Sequence, residues 1–89
     1  MNGGSTPRFA RGMKLSRDAA RDRWVVMGPE RMFVPDDIAL EILKLVDGLR
    51  SIDAITDDLA ARFAAPRDEI HGDTLAMLED LSVKGVVAI

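Results

Sequence analysis

The hydrophobic pattern of this chain changes its period once, near Pro35, and that change limits the folds open to it. Before Pro35 apolar side chains alternate with polar ones, which is the period of a half-buried β-strand. After Pro35 they recur every three to four residues, which is the period of an amphipathic helix. A chain of 89 residues has room for one hydrophobic core. We therefore predict a single α+β domain in which the strands precede the helices.

The first part of the chain predicts three short strands. Residues 13–16 alternate apolar and polar side chains, and Trp24–Met27 is aromatic and β-branched. The polar residues 17–23 between them predict a loop. Gly28-Pro29-Glu30 predicts a turn, after which residues 31–34 pair back as the third strand of an antiparallel sheet.

The second part predicts three helices with clear end signals. Asp36 or Asp37 caps the first helix, and Gly48 lies near its expected end. Ser51 caps the second helix, and Pro66 suits the first position of the third. The expected apolar stripes are Ile38, Ile42, Leu45, Val46 and Leu49 in the first helix; Ile52, Ile55, Leu59 and Phe63 in the second; and Ile70, Thr74, Met77, Leu78 and Leu81 in the third, which Lys84 and Gly85 close.

These elements predict a winged-helix-like architecture, a small three-stranded antiparallel sheet followed by a three-helix bundle. Residues 86–89 are expected to add a short strand or to cover the core. The domain is expected to span residues 8–89, with residues 1–7 as a flexible, glycine-rich N-terminus.

The residues needed for catalysis and metal binding are scarce. The chain has no cysteine and one histidine, which excludes thiolate or multi-histidine metal sites and cysteine nucleophiles. Neighbouring carboxylates such as Asp36 and Asp37 do not face each other on a helix, and no phosphate-binding loop is present. We therefore expect no enzyme activity, no cofactor and no metal.

The longest apolar runs of the chain are too short for a signal peptide or a membrane span. A cytoplasmic protein without a membrane partner is therefore expected.

The charge is divided unevenly along the chain. Residues 1–34 carry seven basic and three acidic side chains, whereas residues 35–89 carry five basic and twelve acidic ones. The predicted third helix, residues 66–84, has a net charge of −3. In a winged-helix protein that helix would enter the DNA groove, where phosphates would repel it. Nucleic acid is therefore an unfavourable partner.

Recognition of another polypeptide remains. Residues 31–34 form an expected edge strand, and an open edge accepts an added strand. If the third helix flanks that edge, a groove forms between them with methionines in its floor. Arg31 and Arg67 can pair with acidic side chains of a peptide. Ile70 and Val34 are equally well explained as core residues. The candidate peptide-binding residues are Arg31, Met32, Phe33, Val34, Arg67, Ile70, Asp73, Thr74 and Met77.

Several segments together resemble a known family. They are Trp24-Val25-Val26-Met27-Gly28-Pro29-Glu30; Ala39-x-x-Ile42-Leu43-x-Leu45-x-Asp47-Gly48; Ser51 with Ile55 and Leu59; and Ile70-x-x-Asp73 followed by Leu78, Leu81 and Gly85. In this order and spacing they resemble the PqqD family of pyrroloquinoline quinone biosynthesis, over about residues 8–87.

That resemblance implies a non-catalytic peptide chaperone. A PqqD-like domain binds the ribosomally made precursor peptide PqqA and presents it to the radical S-adenosylmethionine enzyme PqqE, without a cofactor of its own. Strand addition against residues 31–34 is the expected mode of binding.

Two other functions stay open at this point. One is a winged-helix DNA-binding regulator, and the other is a recognition domain of a different modified-peptide pathway, free-standing or fused to an enzyme. Because exposed strand edges permit strand exchange, the sequence leaves monomer and dimer undecided.

Overall fold

A computed structural model describes residues 2–89 and has the predicted fold class. Three strands form one antiparallel sheet, three helices follow, and two further short strands pair with each other. In chain order the elements are β1 (Arg8–Phe9), β2 (Lys14–Asp18), β3 (Arg23–Met27), β4 (Met32–Phe33), α1 (Asp37–Leu43), α2 (Ile52–Phe63), α3 (Arg67–Val83) and β5 (Val87–Ala88).

The main sheet has the order β2-β3-β4, so β4 is an edge strand as expected. Leu15 lies opposite Val26 and Val26 lies opposite Phe33, which places these three side chains on one face. All three belong to the hydrophobic core or pack against it. That face of the sheet is therefore the inner one.

Several bounds of the predicted strands were wrong. β2 begins at Lys14 instead of residue 13, and β4 comprises only Met32–Phe33 of the expected residues 31–34. The polar residues 17–23 were expected to form a loop, but Arg17 and Asp18 extend β2 and Arg23 begins β3. The pairing of β2 with β3 outweighs the polar composition that favoured a loop. Asp18 lies opposite Arg23, and their side chains form a salt bridge at 3.5 Å.

The second and third helices begin close to the predicted residues. The Ser51 hydroxyl accepts a hydrogen bond from the Ala54 N–H at 3.1 Å, which satisfies one free amide of the first turn of α2. Pro66 is the N-cap of α3 rather than its first residue. It therefore stands one position earlier than predicted.

The first helix is shorter than predicted. Asp36 caps it, accepting from the Ala39 N–H at 2.8 Å, but α1 ends at Leu43 instead of continuing towards Gly48. Asp47 organises the loop that follows: one of its carboxylate oxygens accepts from the N–H groups of Leu49 (2.8 Å) and Arg50 (2.9 Å). Such side-chain bonds compete with the helical hydrogen bonds.

We expect this loop to make stability depend on pH. Backbone hydrogen bonds from Arg50 and Leu49 hold the pKa of Asp47 below its ordinary value of 3.8. Its contribution to stability is therefore full above that value and is lost as the pH falls through the lower folded-state pKa. Asp47→Asn keeps an acceptor oxygen but no charge. The stability difference between wild type and Asp47→Asn, measured by urea unfolding, should shrink from neutral pH to about pH 3. A difference that stays constant would contradict the role of the charge.

The α2–α3 corner holds a strained residue. Ala64, the C-cap that follows α2, has φ +50° and ψ +41°, the left-handed conformation that costs a residue with a β-carbon about 1–2 kcal/mol. Ala64→Gly should therefore raise the free energy of unfolding by about 0.5–1 kcal/mol, part of the relief being offset by the flexible unfolded chain. The control is Ala61→Gly within α2, which should lower it by about 1 kcal/mol. If both glycines destabilise in urea unfolding, Ala64 is not strained.

A second, two-stranded sheet joins the two ends of the domain. Arg8 lies opposite Ala88 and Phe9 opposite Val87. The tail therefore forms a strand, one of its two predicted roles, whereas β1 was not predicted at all. The flexibility expected for residues 1–7 remains a prediction, and Met1 lies outside the described residues. In the described part, the carbonyls of Gly3 and Ser5 accept from the first two N–H groups of α2, each at 2.9 Å.

The core lies where the inner face of the sheet meets the three helices. Its buried members are Val26, Ile42, Leu43, Val46, Ile52, Ile55, Leu59, Leu78, Leu81, Val86 and Val87. Among residues 2–89, none of the three helices is both long and apolar enough to cross a membrane.

Candidate functional site

A groove of about 530 Å³ opens between α1 and α3, and the last turns of α2 also line it. Its walls are mainly apolar, with acidic side chains along both sides. The lining residues are Asp37, Ile38, Leu40, Glu41 and Ile42 from α1, Leu59 and Phe63 from α2, and Ile70, Asp73 and Thr74 from α3.

A shallower depression of about 360 Å³ continues the groove along α3. It is lined by Ile38, Asp73, Ala76, Met77 and Asp80, so it shares two residues with the groove. We call the two together the furrow. It follows the side of α3 that faces α1, and Ile38 stands at the junction of its two parts.

Large apolar side chains are exposed along the furrow. Ile38 is 67% and Phe63 54% exposed, although both carry enough apolar surface to be expected inside. Ile42 and Leu59, in contrast, are buried and form the floor. The furrow thus has a fixed base in the core and adaptable apolar rims, as in sites that bind extended or helical peptides.

The chain runs directly from β4 into α1, so the edge strand leads to the furrow. The Gly28 N–H donates to the Arg31 carbonyl at 2.8 Å, so Gly28 and Arg31 form a hydrogen-bonded pair next to the ladder of β3 and β4. Hydrogen-bonded and non-hydrogen-bonded pairs alternate along an antiparallel ladder. The next pair, Met27 and Met32, is therefore non-hydrogen-bonded, and the N–H and C=O of Met32 point away from β3. These groups can receive another strand.

Four of the nine candidate residues from the sequence lie together in the furrow: Ile70, Asp73, Thr74 and Met77. Thr74 is 1% exposed, so it contributes to the wall but offers little surface of its own. Ile70 and Met77 also pack against the core. Both readings of Ile70, as core residue and as groove residue, therefore agree with its position.

The candidates of β4 lie beside the furrow rather than in it. Met32 and Val34 are 47% and 45% exposed, which excludes Val34 from the core. Phe33 points to the inner face and packs against the core. Arg31 reaches the far end of α3, where its guanidinium donates a hydrogen bond to the Lys84 carbonyl.

Arg67 faces α2 instead of the furrow. Its guanidinium donates to Asp57 at 2.6 Å and to Asp53 at 3.3 Å. These hydrogen bonds, first that to Asp57, raise the pKa of Arg67 above its ordinary value. Both arginines that were expected to meet acidic peptide side chains thus have partners within the domain.

Several furrow residues were not predicted, above all Ile38, Phe63 and the carboxylates of α1. Ile38 and Phe63 were assigned to buried helical stripes. One signal was present in the sequence: Ile38 begins the stripe of α1, directly beside the acidic pair Asp36-Asp37. A residue at the end of a stripe is less well covered than one in its middle. Within residues 2–89 there is no group of three or more His, Asp or Glu side chains placed to hold a metal ion.

Comparison with known proteins gives consistent matches. The profile of the family described as "Coenzyme PQQ synthesis protein D (PqqD)" matches residues 23–87. A "PqqA binding protein" of Rhodopseudomonas palustris (strain BisB5) is 53% identical over 81 residues, covering 91% of this chain and 79% of the relative. The protein of the same name from Gluconobacter oxydans (strain 621H) is 45% identical over 84 residues, covering 94% and 88%.

The fold is also similar to solved structures. The solution NMR structure of the PqqD truncation of Methylobacterium extorquens PqqCD superposes with a TM-score of 0.81 at 37% identity, covering 100% of this chain and 95% of that one. It is described as a functional, stand-alone recognition element for ribosomally synthesized and post-translationally modified peptides. The crystal structure of PqqD from Xanthomonas campestris gives a TM-score of 0.58 at 38% identity, covering 94% and 93%.

Proposed function

This chain belongs to the PqqD family, and from that premise we propose that it binds the precursor peptide PqqA as a non-catalytic chaperone of pyrroloquinoline quinone biosynthesis. The names of its relatives support the ligand, since they are called PqqA binding proteins. The observation that carries the proposal is the furrow itself. It includes an apolar groove of about 530 Å³, and the chain reaches the α1 wall of that groove directly from the open edge strand β4.

The peptide backbone is held by strand addition at β4. Met32 offers one N–H and one C=O away from β3, whereas Val34 lies beyond the end of β4. Hydrogen bonds to these groups set the register of the peptide without reading its sequence. Edge pairing of this kind leaves one side of the peptide open to solvent.

The peptide side chains are read by the furrow. Ile38, Phe63 and Met77 provide apolar surface on three sides, and methionine adapts its shape to different side chains. A flexible peptide loses conformational entropy on binding, which costs about 2–5 kcal/mol. Burial of two or three apolar side chains, at about 1.5–3 kcal/mol each, is sufficient to offset that cost.

We also propose that the domain makes no covalent change to the peptide and passes it on to PqqE in the cytoplasm. The chain lacks cysteine. The side chain of its one histidine, His71 on α3, lies 3.3 Å from Asp53 of α2 and is not among the residues that line the furrow. The exposed side of the bound peptide is accessible to a second protein, as presentation to an enzyme requires.

The test is a titration of ¹⁵N-labelled protein with synthetic PqqA, followed by amide chemical shifts. The expected changes are concentrated at Arg31–Val34, at Ile38 and along Ile70–Met77. Shifts confined to other surfaces would overturn the placement in the furrow. An absence of shifts at several hundred micromolar peptide would overturn PqqA binding by the isolated domain.

A further inference from the structure

The charged groups of the furrow are all acidic. Asp37 and Glu41 line it from α1, and Asp73 and Asp80 from α3. No lysine or arginine is among the residues that line its two parts. An acidic groove with apolar walls disfavours a peptide segment that carries carboxylates, because like charges repel across a surface partly shielded from water.

Two of the four carboxylates are already neutralised from within the domain. Glu41 pairs with Arg62 at 3.1 Å and with Lys44 at 3.7 Å. Asp80 pairs with Lys84 at 2.8 Å. These contacts offset the negative charge of Glu41 and Asp80.

The other two carboxylates have no such partner. In the part of the chain that the structure describes, residues 2–89, neither Asp37 nor Asp73 forms a salt bridge. Both line the 530 Å³ groove, one from the α1 wall and one from the α3 wall, and exposed Ile38 follows Asp37 directly. Each of these two walls therefore carries one carboxylate that is not in a salt bridge.

We propose that the furrow selects a precursor segment in which a lysine or arginine is flanked by apolar residues, and that its cationic group pairs with Asp37 and Asp73. This inference rests on the proposed function and names the chemistry that the site reads. The aliphatic stem of the basic side chain covers Ile38 while its head reaches the two carboxylates, since long basic side chains bury their methylene groups and keep the charge at the surface.

The positions of Arg31 and Arg67 support this choice over an acidic segment. Arg31 is held by the Lys84 carbonyl and Arg67 by Asp57 and Asp53. Neither lines the furrow. An acidic peptide side chain would therefore find no free cation there, whereas a basic one finds two carboxylates.

The experiment measures the dissociation constant of synthetic PqqA for wild type, for the Asp37→Asn/Asp73→Asn double variant and for Glu79→Gln. Glu79 is an exposed carboxylate of α3 outside the furrow, so Glu79→Gln is a control for the loss of charge on the same helix. The double variant should bind about five- to twentyfold more weakly at low salt, and Glu79→Gln within about twofold of wild type. The difference should shrink between about 50 and 500 mM sodium chloride, because salt screens the pairing.

A second peptide distinguishes direct pairing from a change in the fold. In it each lysine is acetylated and each arginine is replaced by citrulline. Wild type should bind this peptide several-fold more weakly than PqqA, while the double variant should bind both peptides equally. Equal binding of both peptides by wild type, or tighter binding by the double variant, would overturn the inference while leaving PqqA binding intact. If PqqA shifts no amide of the wild-type protein, the proposed function itself fails and the inference fails with it.

Discussion

Replacement of Leu43 by alanine is expected to lower the free energy of unfolding by about 2–5 kcal/mol. Leu43 is the last residue of α1 and is 0% exposed within the core cluster. Its removal leaves a cavity between α1 and the rest of the core, in addition to the loss of buried apolar surface. Small domains have total stabilities of roughly 5 kcal/mol, so this variant should retain only about 0–3 kcal/mol.

The matched control is Leu49→Ala. Leu49 lies in the loop after α1 and is 86% exposed, so the same truncation should change stability by less than about 0.5 kcal/mol. Urea unfolding followed by circular dichroism measures both variants. Similar losses for the two would show that α1 is not anchored through Leu43.

The second large effect concerns ligand binding. Ile38→Asn should weaken the binding of synthetic PqqA by about ten- to a hundredfold, which corresponds to the loss of one buried isoleucine side chain at about 1.5–3 kcal/mol. Ile38 lines both parts of the furrow but is 67% exposed in the free domain. Its replacement should therefore leave the free energy of unfolding nearly unchanged.

Leu49→Asn controls for the loss of an exposed apolar side chain outside the furrow, and its affinity should match that of wild type. Fluorescence anisotropy with labelled PqqA measures the affinities, and urea unfolding confirms that both variants fold. A folded Ile38→Asn protein that binds PqqA within twofold of wild type would show that the peptide does not use the furrow.

The parts of the fold that the sequence predicted well are those with local signals. The caps Asp36 and Ser51 start α1 and α2 as expected, and the turn at residues 28–30 joins β3 to β4. Each depends on side chains within a few positions of one another, so the sequence alone contains the information.

One of the errors arose where distant residues decide the structure. Strand β1 has two residues, and its partner β5 lies at the other end of the chain. No periodicity can reveal a pairing of that kind. The end of α1 was misplaced because Leu45, Val46 and Leu49 continue the helical pattern, whereas Asp47 and Gly48, with φ +75°, turn the chain away.

The site could be predicted only in outline. The direct passage of the chain from the third strand into the first helix identified β4 as an edge. Helical periodicity brought Ile70, Thr74 and Met77 to one side of α3, and the family resemblance added Asp73. The opposite wall could not be found in this way, because it depends on how α1 packs against α3. The partners of Arg31 and Arg67 likewise come from elements far away in sequence.

The pairing of β1 with β5 makes the domain nearly circular. Arg8 lies opposite Ala88, and the α-carbons of paired residues in an antiparallel ladder are only about 5 Å apart. Residues 2–7 continue from β1 to the first turn of α2, where the Gly3 and Ser5 carbonyls accept its N–H groups. A glycine-serine link that closes the ring must therefore reach from β5 to that turn, while new ends are opened at the exposed turn at Ala19–Ala20. Neither β1 nor β5 lines the furrow, so the permuted domain would keep the binding surface.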